Sequence, residues 1–195
     1  MCIDLVRKDG QRKFLTTEER DTFFVKAKEL NPMGKTFCLM LAHTGCLISE
    51  AINIRYKDIN LSECAVTIHT LRKRNNPNKD IVRIIPLSDN FVNELAFAHK
   101  LNAQNTSSSD AKLWNWSRKN GFLKVKKVMQ VASIKGLHAT PMGIRHAFGL
   151  YCVEKEIPLI FIRKWMGHSS LAITEMYSLF AKQDEREMAE RIWNQ

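Results

Sequence analysis

Only one stretch of this chain, residues 64–86, abandons helical patterning, and it constrains the fold more than any other feature. Ala65, Thr67 and His69 alternate with Val66, Ile68 and Thr70, a period of two rich in β-branched side chains. Ile81 to Pro86 repeats the signature. Between them Arg72 to Lys79 is polar and carries Asn75-Asn76-Pro77-Asn78, a turn signal. Two strands joined in this way make an antiparallel hairpin. A lone hairpin is marginal in water, so the surrounding chain has to cover it. The expected fold is mainly α with a small antiparallel β-sheet.

The flanking segments supply the helices. Thr16 with Glu19 three residues on is a capping box, and Phe23, Phe24, Ala27 and Leu30 recur at helical spacing until Asn31-Pro32, read as the stop. Further helices are predicted from about Lys35 to His43, from Ser49 through Ile54, and after Ser88 or Asp89. Asn102 to Asp110 reads as a loop, and Ser117 to Ala132 as a basic helix. Pro141 suits the first turn of a helix to about Glu154. Pro158 opens another that ends near Gly167, and Ser169 or Ser170 caps one running into Tyr177. The 195 residues fit one domain, 15–183, with a polar lead-in at 1–14 and a last helix at 184–195.

Thirty Lys and Arg against twenty Asp and Glu give a net charge of +10, which points to phosphate-rich partners, nucleic acid ahead of an anionic membrane. The five cysteines (Cys2, Cys38, Cys46, Cys64, Cys152) are odd in number and form no CxxC pair, so neither a disulfide framework nor a zinc site is expected. No run approaches the ~20 apolar residues of a membrane span. The charged start has no apolar core like a signal peptide's. A cytoplasmic protein without membrane association is expected.

Function is written in a string of segments. Pro141-Met142-Gly143-Ile144-Arg145-His146 precedes Gly167-His168-Ser169-Ser170 and Tyr177; Arg145 to His168 is 23 residues and His168 to Tyr177 is 9. Upstream lies Thr44-Gly45-Cys46-Leu47-Ile48-Ser49-Glu50, with Leu47 98 residues before Arg145. Together with TLRKR and VRIIPL around the hairpin and DEREMAERIW at the end, this order resembles the tyrosine recombinase (phage integrase) family over about residues 12–195. Within the family it is most similar to the resolvases of large plasmids. The resemblance implies double-stranded DNA as partner and strand exchange through a 3′-phosphotyrosine. The covalent link conserves the phosphodiester bond energy, so no metal or cofactor is expected.

The resemblance also implies roles. Tyr177 is the nucleophile, Arg145 the second arginine of the phosphate clamp, and His168 the histidine that hydrogen-bonds the scissile phosphate. A lysine on the hairpin turn is the general acid. Arg72, Lys73 and Arg74 compete for that place, and Lys73 is chosen because an arginine does not readily give up its proton; a basic turn that only contacts phosphate stays open. His146 is read as a structural histidine. Arg72, Arg74, Lys79 and Arg83 are expected in the DNA surface, with Lys124, Lys126 and Lys127 either joining it or forming a solvated helix face. The family exchanges a terminal helix between protomers. Met188, Ile192 and Trp193 on one side of 184–195 therefore suit a homo-oligomer on DNA or a hetero-assembly with another recombinase, or docking at home.

Two positions depart from the family pattern. Its Thr-Gly-x-Arg-x-Ser-Glu arginine is Leu47 here, and the His or Lys three residues before the second arginine is Met142. An arginine aimed at a transferring phosphoryl group is worth roughly 10³–10⁵ in rate, and an acid–base partner roughly 10²–10⁴. Impaired catalysis is expected, with His43 and Arg55 as the groups that would have to substitute. The family's usual preceding helical clamp is not among these residues, so weaker wrapping of DNA is expected. Three functions compete: a DNA-binding recombinase-like protein with impaired cleavage, an active site-specific recombinase cutting through Tyr177, and a basic RNA-binding module. The last has only the charge behind it and lacks a stacking signature.

Overall fold

The structure, a computed structural model, describes residues 5–70 and 81–180. Arg72, Lys73, Arg74, Lys79 and the segment 184–195 lie outside the described residues. The described chain is mostly helical: α1 (Thr17–Ala27), α2 (Pro32–Thr44), α3 (Ile48–Ala51), α4 (Asp89–His99), α5 (Ala103–Ser108), α6 (Arg118–Val131), α7 (Pro141–Glu154), α8 (Leu159–Met166) and α9 (Leu171–Phe180). Between α3 and α4 runs a three-stranded antiparallel sheet in the order β1 (Ile59–Asn60), β2 (Ala65–Thr70), β3 (Ile81–Pro86). The short β1 adds an edge that the sequence pattern did not announce. Val66 is the register point, paired with Ile59 on one side and Ile85 on the other.

Helix α2 is the axis of the fold. Phe37, Met40 and Leu41 are buried at its centre, and α1, α3, α4, α6 and α7 pack around it. Its start corrects the sequence expectation that Asn31-Pro32 ends a helix. Asn31 accepts a hydrogen bond from the Gly34 N–H at 2.8 Å, and Pro32 takes the first helical position, where an absent N–H costs nothing. Likewise α5 forms inside the expected loop. Asn102 and Asn105 cap one another reciprocally, and no buried face accompanies them to give an apolar period.

The sheet sorts its side chains by parity. Val82 and Ile84 of β3 are exposed, whereas Arg83 and Ile85 are buried. A second core cluster lies beside the main one and joins Leu5, Phe148, Ile162, Met166 and Tyr177. Residues 5–14, expected as a lead-in, reach this cluster: Leu5 is buried, Val6 bridges Arg12, and the Phe14 ring meets Phe180 edge-on at 5.1 Å. Among the described residues no helix is long and apolar enough to cross a membrane. Cys38, Cys46 and Cys152 are buried free thiols, which burial pushes up to about 12, 11 and 12.

Candidate active site

Helix α7 is the platform. Thr140 caps it by accepting from the Gly143 N–H at 3.2 Å, and Pro141 fills its first position. Any Cβ on Gly143 would lie 1.9 Å from the His138 carbonyl oxygen, so the helix starts hard against the preceding loop. Arg145, His146 and Gly149 then turn inward, all buried.

Arg145 is held by two carbonyls. It donates to Gly45 O at 2.6 Å and to Met166 O at 2.7 Å. Gly45 and Gly167 are the left-handed caps of α2 and α8, so these oxygens belong to helix ends whose carbonyls lack intrahelical donors. One guanidinium thereby joins the ends of two helices to the middle of a third.

His168 follows the α8 cap. Its Nδ1 lies 2.9 Å from the Thr174 hydroxyl, and its Nε2 is buried with no hydrogen-bond partner in the described protein. The ring runs nearly parallel to that of Tyr177, with centroids 5.9 Å apart. Tyr177 is fully buried, and its hydroxyl sits 3.0 Å from His146 Nδ1. The phenol fits because residue 149 is glycine: a Cβ there would come within 2.8 Å of the ring. Burial first, then Arg145, pushes His168 down to about 3 and His146 to about 4, so both rings are neutral near pH 7. Burial pushes the Tyr177 phenol up to about 12, with Arg145 pulling the other way.

Arg145, His168 and Tyr177, far apart in sequence, thus meet at the junction of α7, α8 and α9. His146 lies beside them, at the phenol. Expected to be structural, it contacts the phenolic oxygen directly, and its only sequence signal was adjacency to Arg145.

Arg83 corrects another expectation. It is 3% exposed, not part of a DNA-facing surface. Its guanidinium meets the Glu50 carboxylate at 3.0 and 2.5 Å, donates through Nε to Trp165 O at 2.8 Å, and bonds the Thr70 hydroxyl. Glu50 also accepts from the Leu47 N–H at 2.8 Å and from Thr70 at 2.9 Å. Burial alone would raise the Glu50 carboxyl, but the Arg83 fork and the other donors hold it below its usual value. The network ties the hairpin stem to α3 and to the end of α8.

The two departing positions share one cavity of about 400 Å³, lined by Leu47, Ile48, Arg118, Phe122, Pro141 and Met142 among others. Neither Leu47 nor Met142 offers a donor there. The groups expected to substitute are committed elsewhere. The His43 ring packs between Phe24 and Phe91, with centroids at 4.9 and 4.6 Å, and burial pushes it down to about 4. Arg55 pairs with Asp110 at 2.9 Å. Among the described residues, the cation that reaches this cavity is Arg118, which the sequence reasoning missed. On α6, Lys126 donates to Ala139 O at 3.1 Å and Lys124 lies 5.4 Å from the Trp116 ring centroid, while Lys127 is exposed. Among the described residues no cluster of His, Cys, Asp and Glu could hold a metal ion.

Comparison with known proteins fits this geometry. The chain is 25% identical over 192 residues to the tyrosine recombinase XerA of Pyrococcus horikoshii, covering 92% of this chain and 61% of that protein. It is 28% identical over 189 residues to XerC of Oceanobacillus iheyensis, covering 89% and 59%. The chain therefore spans about three fifths of these relatives' length. Among solved structures, XerH bound to its difH substrate superposes with a TM-score of 0.70 at 20% identity, covering 99% of this chain and 57% of that one. The catalytic domain of bacteriophage HP1 integrase gives 0.66 at 17%, covering 92% and 95%. Residues 13–184 match the phage integrase family, and with the fold in agreement the chain belongs to that family as a tyrosine recombinase catalytic domain.

Proposed function

We propose that this protein binds double-stranded DNA in site-specific recombination, and that its strand cleavage through Tyr177 is impaired by Leu47 and Met142. One observation carries the proposal: a guanidinium, an imidazole with a free nitrogen and a phenol are gathered in one buried cluster at the junction of three helices. In cleavage the Tyr177 oxygen bonds to phosphorus, the bond from phosphorus to the 5′ oxygen breaks, and that oxygen receives a proton from a general acid, the role proposed for Lys73. The Arg145 fork has five N–H groups. Two fix its orientation, and others remain for the charge that gathers on the non-bridging oxygens. With His168 Nδ1 accepting from Thr174, Nε2 carries the proton and donates to the same phosphate.

Leu47 leaves that phosphate with half a clamp, and Met142 relays no proton. The buried phenol adds a further demand: the side chains that cover it have to part before Tyr177 meets DNA. Arg72, Arg74, Lys79, Lys124, Lys126 and Lys127 are proposed as phosphate contacts. Residues 184–195 are proposed as the link to a second copy or to another recombinase, and the cytoplasm as the place of action. Structural neighbours solved with a difH substrate or with transposon end DNA support DNA as partner.

Two assays test this. Mobility shifts on a mixed-sequence duplex should weaken steeply with salt, by roughly 10³–10⁵ between 50 and 200 mM for six to ten phosphate contacts. A pool of nicked suicide duplexes of randomised sequence should yield only a trace of covalent protein–DNA adduct, absent from Tyr177→Phe. Salt-insensitive binding, or an adduct that survives Tyr177→Phe, would overturn the proposal.

A further inference from the structure

Met142 and His146 stand four residues apart on α7, one turn from each other on the same side of the helix. The first is the thioether that departs from the family pattern. The second is an imidazole already in contact with the phenol. We propose that His146 is a catalytic residue of this chain, the base that takes the Tyr177 proton as the oxygen attacks phosphorus. The inference rests on the cleavage chemistry set out above and names a group for the one proton that chemistry leaves unassigned.

Three observations carry it. His146 Nδ1 lies 3.0 Å from the Tyr177 oxygen, within the reach a general base needs. The ring is buried on a rigid 14-residue helix, so its aim is fixed by packing. A neutral ring accepts a proton, and the groups that keep it neutral are its own burial, Arg145 beside it on α7 and Lys13 from the N-terminal segment. His168 and Tyr177 are the titratable groups facing it from the α8–α9 side. An incoming phosphodiester brings the opposite charge, which favours the imidazolium and strengthens the base when it is needed. The step balances. The Tyr177 oxygen–phosphorus bond forms, the phosphorus–5′ oxygen bond breaks, the phenolic proton goes to His146 Nδ1, and the general acid protonates the 5′ oxygen. Rejoining runs the same transfers backwards.

The tautomer gives a test independent of activity. Nitrogen-15 NMR of the histidine rings should show His146 with Nδ1 bare and Nε2 protonated; an Nδ1–H that donates to the phenol overturns the proposal. Kinetics gives the second test, in a Leu47→Arg background that restores the missing guanidinium. His146→Asn keeps an acceptor near the Nδ1 position without its basicity. It should slow adduct formation on the nicked pool by roughly 10²–10⁴ and flatten the fall in rate towards acid pH, with DNA affinity within about threefold. Imidazole added to His146→Ala should restore part of the rate. Adduct formation unchanged by His146→Asn sinks this proposal alone. No adduct from Leu47→Arg with His146 intact sinks the cleavage chemistry, and this proposal with it.

Discussion

Arg83→Met separates a buried strut from a DNA contact. The side chains of Arg83 and Glu50 are 2% and 6% exposed, and their closest approach is 2.5 Å. Removing the guanidinium leaves the carboxylate, among the described residues, with the Leu47 N–H and the Thr70 hydroxyl. Breaking one side of a buried ion pair costs about 3–5 kcal/mol, because the other charge stays buried. For a chain of this size each kcal/mol lowers the melting temperature by about 2–4 °C, so a fall of about 6–20 °C is expected. The loss also has a pH signature. Arg83 holds the Glu50 carboxyl below its usual value, and without it burial raises that carboxyl. The variant is therefore worst near neutrality, where Glu50 is forced to be charged, and recovers as acid protonates it. Urea unfolding followed by circular dichroism at pH 7 and pH 5 measures both effects. Glu50→Gln combined with Arg83→Met should regain much of the loss, since neither charge is then stranded. A cost below about 1 kcal/mol, coupled with weakened DNA binding, would refute the buried strut and return Arg83 to the surface.

Tyr177→Phe should cost about 1–3 kcal/mol by leaving His146 Nδ1 without its partner in a buried site, read from the urea midpoint. Burial pushes His43, His99, His146 and His168 down to about 4, 4, 4 and 3, so below pH 6.5 the unfolded chain binds more protons than the folded one. Stability should be fully present above that pH and lost progressively between pH 6.5 and 4; a urea midpoint that is flat across this window contradicts the burial. Gly149→Ala places a Cβ 2.8 Å from the phenol ring and should push it outward. Tyr177 should then become open to nitration by tetranitromethane, mapped by mass spectrometry, whereas the parent stays protected.

Much of this was legible in the chain because the signals were periodic or local. The hairpin shows as a change of period, α1 as a capping box, and the meeting of Arg145, His168 and Tyr177 as a fixed spacing between them. What escaped is what depends on packing. Arg83 was grouped with the basic turn by composition, although the alternation that buries Ile85 also buries residue 83. Asn31-Pro32 carries both a stop and a start signal, and only the Gly34 N–H decides between them. His146 looks inert until α9 sets a phenol against it. Arg118 meets Leu47 and Met142 only when α3, α6 and α7 close around a shared cavity.

The central claim is that Tyr177 is a DNA nucleophile whose phosphate site was weakened at two positions. The measurement that tests it most directly is the rate of covalent adduct formation by Leu47→Arg/Met142→Lys against the parent, on nicked duplexes of randomised sequence, with the modified peptide located by mass spectrometry. The expected result is a rise of at least about 100-fold, since a clamp arginine alone is worth roughly 10³–10⁵, with the nucleotide attached to Tyr177. A double variant that binds DNA yet stays as inert as the parent, or an adduct on another residue, would contradict it.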